Sequence, residues 1–290
     1  MELSVIIPCY NEAENLDSYL PKILDFGTRN NFEIILVNDG STDGTRAIIE
    51  KNSNKGKNLK IIHHKLNKGY GGAIKSGIEI ADSKYCITID ADGQHNFVDV
   101  IKLYNKIVET DADMIIGSRK GQKDSTLLRE TGKRLIRVVA KTMMKIPVYD
   151  LNSGMKICRT ELAKKYLHLC PDGMAYSDII ALVFINNRHL VLEEPIEINP
   201  REKGKSTIGI HTAFETFMEI LNIITLFSPM KIFLTVSILL FITGVGWGLR
   251  FLIKGMGVSI GSSMLIIISI LVFLLGLIAE QLASIRRNIK

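Results

Sequence analysis

Two aspartates one residue apart, Asp90 and Asp92, stand at the end of an apolar run in "TIDADGQHN", residues 88–96. Charge next to a buried strand is costly unless a partner shares it. Ala91 and Gly93 flank the pair with little bulk, and alternation along an extended chain sends both carboxylates to one side. With the amide oxygen of Gln94 they make a hard-oxygen donor set suited to Mg²⁺ or Mn²⁺. A cation held there neutralises a diphosphate and helps it leave. The same string also reads as a turn with capping aspartates, and spacing alone does not separate the two.

Other segments bear on the same chemistry. In "VNDGSTDGT" Asp39 is placed to accept hydrogen bonds from a nucleobase N–H or a ribose hydroxyl, whereas Ser41, Thr42 or Asp43 can cap the following helix. "NKGYGGAIKSG" is a glycine-rich helix entry without the spacing of an ATPase phosphate loop or of G-x-G-x-x-G. It reads equally as ligand contact or as a tight turn. Further on, Arg129, Lys133 and Arg137 recur every fourth residue on one helical face, with Arg134 and Lys141 alongside. That stripe is either a solvated face or a phosphate site. None of the six histidines is assigned to catalysis: His95 borders the aspartates, His63 and His64 end a strand, and His168, His189 and His211 read as surface or interface residues. The four cysteines form no C-x-x-C pair, which points to reduced thiols rather than a metal-thiolate site.

The elements that must position these residues alternate. "LSVIIPCY", "FEIILVND", "LKIIHH", "YCITID" and "ADMIIGS" are β-type runs, and Glu12–Phe26, Thr42–Lys51, Gly71–Ala81 and Val98–Glu109 have helical spacing. This predicts a mostly parallel α/β sheet covered by helices, with ligands beyond the strands' C-terminal ends. "PCYNE", "NDGSTDGT" and "DADGQH" all fall there and converge on one crevice.

The C-terminal part has another character. Ile232–Leu249 and Gly255–Ala279 carry no charged residue, and each is long enough to cross a bilayer core as helix, which takes roughly 20 apolar residues. Two membrane helices, about 231–250 and 260–283, are expected within 230–290. Residues 207–229 place Phe214, Phe217, Met218, Leu221 and Ile224 on one helical side and Glu215, Glu219 and Asn222 on the other, the pattern of an interfacial helix beside a span. Six basic residues and one acidic residue follow Met230, leaving 30 basic against 29 acidic before it. Such a balance does not suit a general nucleic-acid binder. Lys231 before the first span and Arg286, Arg287 and Lys290 after the second favour a cytoplasmic catalytic domain, although Arg250 and Lys254 near the hairpin loop weaken the bias. The start, "MELSVIIPCY", lacks the basic and apolar regions of a signal peptide.

Taken in order, "SVIIPCYNEAENL", "IILVNDGSTDGT", "NKGYGGAIKSGI", "TIDADGQH", "IIGSR", "VYDLNSGMK" and "PREKGKS" resemble the family-2 glycosyltransferases of GT-A fold. The branch they resemble most contains dolichyl-phosphate mannose and glucose synthases and bacterial polyprenyl-phosphate sugar transferases. The resemblance covers roughly residues 3–206 and implies a GT-A glycosyltransferase domain over 1–206. Three departures stand out. Asn96 replaces a common proline, the helix after "GSR" has no clean Arg-x-x-x-Ser, and there is no Q-x-x-R-W, the single tryptophan (Trp247) lying in a span.

The resemblance implies that Pro8, Tyr10, Glu12 and Asp39 line the nucleotide pocket, with Ala91 and Asp92 completing the nucleotide-sugar contacts. Asp90, Asp92 and Gln94 would hold the metal and diphosphate, and Arg201 and Lys205 would grip phosphates over the site. Arg119, with Arg129, Lys133 and Arg137, would hold the acceptor phosphate, beside Asp150 and Ser153. The implied activity is inverting transfer of one sugar from a nucleotide-sugar such as GDP-mannose or a UDP-hexose to a polyprenyl phosphate, dolichyl or undecaprenyl. The partners are therefore donor, lipid acceptor and bilayer, and a homo-oligomer stays open. The rival readings are transfer to a lipid hydroxyl such as diacylglycerol, with Asp150 or Asp178 as base, and a non-catalytic nucleotide-binding membrane scaffold.

Overall fold

Residues 1–53, 58–119, 147–197, 229–257 and 259–288 are described by the computed structural model. In its first unit β1 (Leu3–Cys9), α1 (Ala13–Asn30), β2 (Glu33–Asn38), α2 (Thr45–Asn52), β3 (Leu59–His63), α3 (Tyr70–Ile80), β4 (Tyr85–Thr88), α4 (Phe97–Thr110) and β5 (Met114–Ser118) alternate as the apolar pattern predicts. The runs of β1, β2, β4 and β5 are buried almost throughout, as strands covered on both faces must be. Two further strands, β6 (Lys156–Arg159) and β7 (Val191–Pro195), complete a seven-stranded sheet, with α5 (Thr160–Tyr166) and α6 (Tyr176–Asn186) between them.

The strand order is β3-β2-β1-β4-β6-β5-β7. All neighbours pair in parallel except β6, which runs antiparallel to both β4 and β5. Its register sets Thr88 opposite Lys156 and Tyr85 opposite Arg159. The start of β6 therefore lies where β4 ends, and the loop before β6 is delivered to the rim that receives the other loops.

Below that rim α1 and α4 pack on one face of the sheet. Phe26 stacks on Phe97 with centroids 4.6 Å apart, and Tyr19 stacks on Phe97 at 5.4 Å, joining α1 to the start of α4. Asn96 caps α4, its Oδ1 accepting from Val98 N–H at 3.1 Å. A proline here would lack that side-chain acceptor.

The second unit contains α7 (Pro229–Ile253) and α8 (Ile260–Asn288), both long and apolar enough to cross a membrane. They pack as a hairpin through small residues. Ser237, Gly244 and Gly248 of α7 and Ser262, Ser269, Gly276 and Ala283 of α8 are buried, whereas most of the large apolar side chains face outward. The α8 set recurs every seventh residue, the spacing of a coiled-coil seam. Small residues let membrane helices approach closely. Ser237, Ser262 and Ser269 each return their hydroxyl to a backbone carbonyl three residues earlier, at 2.9, 2.8 and 2.6 Å. These three hydroxyls are thereby satisfied within their own helices. At one end Glu280 Oε2 accepts from Met230 N–H at 3.2 Å, placing negative charge at the first turn of α7, where the helix dipole favours it. The interfacial helix expected over 207–229 falls, apart from Pro229, outside the described residues.

A Cβ on Gly276 would lie 2.5 Å from Phe233 Cβ. Gly276→Leu should therefore separate the helices and lower the detergent melting temperature, at a cost of about 1–3 kcal/mol. Gly246, where a Cβ meets nothing within 4 Å, should accept alanine with little change. Equal melting temperatures for Gly276→Leu and wild type would refute this packing.

Candidate active site

The loops after β1, β2 and β4 and the loop before β6 share one rim, and hydrogen bonds tie them in pairs. After β1, Asn11 takes left-handed backbone (φ 54°) and joins the loop after β2. Its N–H donates to Ser41 Oγ at 3.1 Å and its Oδ1 accepts from Thr42 N–H at 2.9 Å. Glu12 N–H donates to Thr45 Oγ1 at 2.9 Å. Asp43 accepts from Thr45 N–H at 2.9 Å and from Ala13 N–H at 3.1 Å, so one carboxylate serves the first turns of α2 and α1 together. Partial burial would raise its pKa, but those hydrogen bonds outweigh burial and hold it below the usual carboxylate value. Pro8 is half-buried beside this junction and Tyr10 is exposed. The Glu12 carboxylate accepts from Asn15 Nδ2 at 2.6 Å.

Asp39, only 2% exposed, follows β2. Lys68 N–H donates to its Oδ1 and Gly69 N–H to its Oδ2, both at 2.9 Å, and His64 Nδ1 lies 2.6 Å from Oδ1. The carboxylate thus holds the glycine-rich loop. The next residue, Tyr70, carries the connection onward, its hydroxyl donating to Asp90 Oδ1 at 3.2 Å. Burial, followed by the nearby charge of Asp90, raises the Tyr70 phenol well above its ordinary value, which keeps it a donor.

β4 stops at Thr88, so Asp90 and Asp92 lie in the turn beyond it. Strand alternation, from which a shared face was expected, does not apply there. Contacts of the turn orient the pair instead. Asp90 N–H donates to His95 Nδ1 at 2.9 Å, Asp92 Oδ1 accepts from Gln94 N–H at 3.1 Å, and Tyr19 Oη donates to the His95 carbonyl at 3.0 Å. Ala91 is buried between them.

The loop before β6 presses on this turn. A Cβ on Gly154 would lie 3.1 Å from Asp90 Oδ2, and the Gly154 carbonyl accepts from Thr88 Oγ1 at 2.6 Å. Asp150 accepts from Arg119 three times, from N–H at 3.0 Å, Nε at 2.7 Å and Nη2 at 2.8 Å. Burial would raise its pKa, but the Arg119 hydrogen bonds and charge overcome burial and hold the carboxyl below the usual range. Glu193 of β7 accepts from Tyr149 N–H at 3.0 Å and Asp150 N–H at 2.7 Å. Ser153 is buried, and its carbonyl accepts from the buried Lys156 Nζ. Burial pushes that lysine down to about 8, with the charges of Asp178 and Asp150 acting in the opposite direction.

The described structure therefore gathers Asp39, Asp90, Asp92, Gln94, Asp150 and Ser153 along linked loops, with Arg119 engaged by Asp150. Arg129, Lys133, Arg137, Arg201 and Lys205 lie outside the described residues. Tyr70, Lys156, Tyr19 and Glu193 were not singled out from sequence. The first two sit inside the glycine-rich and "DLNSGMK" segments, whereas nothing local marks the others. Among the described residues no three His, Cys, Asp or Glu side chains gather as a metal cage. Two carboxylates and an amide of one turn suit instead a cation that completes its shell with phosphate and water.

Residues 4–176 match the family described as glycosyl transferase family 2, and residues 228–285 match the GtrB C-terminal hairpin. The chain is 32% identical over 181 residues to a dolichyl-phosphate beta-glucosyltransferase of Dictyostelium discoideum, covering 56% of this chain and 55% of that protein. It is 31% identical over 222 residues to a dolichol-phosphate mannosyltransferase of Pyrococcus furiosus, covering 74% and 61%. It thus spans between half and two thirds of the length of these relatives. Glucosyl-3-phosphoglycerate synthase from Mycobacterium tuberculosis, solved with Mn²⁺, UDP and phosphoglyceric acid, superposes with a TM-score of 0.60 at 14% identity, covering 77% of this chain and 78% of that one. That likeness is one of fold.

Asp150→Asn removes the charge that pairs with Arg119 and should cost about 1–3 kcal/mol near neutral pH. Because the folded pKa is depressed, this contribution is complete above the unfolded value, about 3.9, and disappears as pH falls through the lower folded value. The gap in melting temperature between wild type and variant should therefore close on acidification below about pH 4. A gap that widens in acid would contradict the pairing.

Proposed function

This chain belongs to glycosyl transferase family 2, and from that premise we propose that it transfers one sugar from a nucleotide-sugar to a polyprenyl phosphate at a membrane surface. The observation that carries the reading is the linkage of the Asp90–Asp92 turn to the Asp39-held loop on one side and to the Asp150–Gly154 loop on the other. Donor and acceptor ends of a transfer site then share one rim. The two relatives differ in the sugar they are named for, glucose or mannose, but both names contain a dolichyl phosphate. Their common feature supports the acceptor class and leaves the donor sugar open.

Pro8, Tyr10, Glu12, Asp39 and Ala91 are assigned to the nucleotide-sugar end. Asp90, Asp92 and Gln94 would hold Mg²⁺ or Mn²⁺, which when bound neutralises the departing diphosphate. Arg201 and Lys205 are assigned to the same leaving group. On the acceptor side Arg119, Arg129, Lys133 and Arg137 would hold the lipid phosphate, with Asp150 fixing Arg119 and Ser153 shaping the loop between. The phosphate oxygen attacks the anomeric carbon from the face opposite the leaving diphosphate, inverting the centre. A phosphate monoester is already largely dianionic near neutral pH, its second pKa being about 6. Orientation and charge screening then suffice without a protein base.

That requirement separates the acceptor classes. A lipid hydroxyl needs a base, and Asp150, engaged three times by Arg119 and held below the usual carboxylate range, is poorly suited to take a proton. The hairpin of two apolar helices supports a membrane-associated enzyme, and the basic flanks Lys231, Arg286 and Arg287 favour the cytoplasmic side.

With purified full-length protein and a panel of nucleotide-sugars, nucleotide release should require polyprenyl phosphate and stop with EDTA. Polyprenol and diacylglycerol should not replace the phosphate. Asp92→Asn should lower turnover by about 10²–10³-fold with the melting temperature retained. Equal rates with polyprenol or diacylglycerol would overturn the acceptor assignment, and full activity in EDTA would overturn the cation.

A further inference from the structure

His63 ends the edge strand β3, and His64 follows it. His63 Nδ1 meets the Asn38 amide at 3.1 Å. His64 does more. Its backbone N–H extends the ladder to the Asn38 carbonyl at 2.9 Å, and its ring, 5% exposed, lies between Asp39 and α3. Nδ1 is 2.6 Å from Asp39 Oδ1, and Nε2 is 2.9 Å from Ser76 Oγ. One imidazole thereby joins the ends of β2 and β3 to α3.

The consequence lies in what Asp39 holds. Lys68 N–H and Gly69 N–H already donate to its two oxygens, so the ring contributes the third donor through Nδ1–H and presents Nε2 to the Ser76 hydroxyl. Asn67 closes the loop from its other side. Its Nδ2 donates to the Asp39 carbonyl at 3.2 Å and its Oδ1 accepts from Gly69 N–H at 3.0 Å. Without the ring, the buried carboxylate would keep only the two backbone donors of Lys68 and Gly69. Such a group swings toward water or draws water in.

We propose that His64 is a positioning residue for the nucleotide end of the site, acting through Asp39 to hold the Asn67–Gly69 backbone in its binding arrangement. The assignment rests on the donor-site reading given above. It makes a prediction that depends on which ring nitrogen matters. Asparagine places an amide nitrogen near the position of Nδ1 and can still donate to Asp39, whereas glutamine places it near Nε2 and reaches Ser76 instead. A residue that only fills space would not distinguish the two amides in this order.

The test uses full-length protein with UDP and GDP as probes in the presence of Mg²⁺, alongside kinetics with polyprenyl phosphate. For whichever nucleotide wild type binds, His64→Asn should stay within about threefold of its Kd. His64→Gln should bind about tenfold or more weakly, the size expected for loss of one charge-assisted hydrogen bond. The KM for polyprenyl phosphate should move in neither variant. Glutamine binding as well as wild type, or asparagine binding as weakly as glutamine, would overturn the assignment. A nitrogen-15 spectrum of the histidine rings without nucleotide tests the geometry separately, and a slowly exchanging Nδ1–H for His64 is expected. If wild type binds neither UDP nor GDP, the donor-site reading fails and the assignment falls with it. The ring signal distinguishes that outcome from a wrong geometry, in which Nδ1–H is absent.

Discussion

Carboxylates that leave water must be met by hydrogen-bond donors, and the buried Asp39 and Asp150 and the half-buried Asp90 meet that condition with donors from neighbouring loops, while the exposed Asp43 ties two helix starts together. Asp43 takes backbone donors from the first turns of two helices, Asp39 holds the glycine-rich loop, Asp90 receives the Tyr70 hydroxyl, and Asp150 receives Arg119. Each bond fixes one loop against its neighbour, and at Asp39, Asp90 and Asp150 it also satisfies a group whose burial would otherwise be unfavourable. The site is held largely by the acids of its own loops. Asp39 and Asp90 are connected through adjacent residues, Gly69 and Tyr70. The Asp39 loop and the aspartate turn therefore do not move independently of that short segment.

The antiparallel strand β6 solves a separate problem. A parallel strand in its place would start at the opposite rim and carry its preceding loop away from the site. Reversing one strand brings Asp150, Ser153 and Gly154 to the end of β4, where Gly154 allows the loop to approach Asp90 closely. In the second unit the hairpin follows different physics. Water supplies no drive to pair apolar helices inside lipid, so close contact depends on small residues and on hydroxyls that satisfy themselves. The seven-residue recurrence of Ser262, Ser269, Gly276 and Ala283 supplies that surface.

Much of this was legible in the sequence because burial leaves a pattern. The runs of β1 to β5 are apolar and β-branched, the helices between them keep their period, and Ile232–Leu249 and Gly255–Ala279 lack charge. β6 is only four residues long and begins and ends in a basic residue, "KICR", while β7, "VLEEP", carries two acids. Neither resembles a buried strand. Asp43 was readable as a cap because its position before a helix is local information. The partners of Asp39 and Asp150 were not, since they come from 25–30 and 31–43 residues away in the chain and are set by topology. His64 shows the same limit: as a sequence symbol it ends a strand, and only the register of β3 against β2 brings it to Asp39.

The central claim is that the turn bearing Asp90 and Asp92 is the diphosphate end of a transfer site. Anomalous diffraction from crystals of the full-length protein grown with Mn²⁺ and the nucleoside diphosphate it releases measures this directly. The account predicts a manganese peak beside the Asp92 carboxylate, shared with the diphosphate, and a nucleoside extending toward the loop held by Asp39. A nucleotide bound away from this rim, or an ordered diphosphate at the rim with no manganese at Asp90 or Asp92, would contradict it.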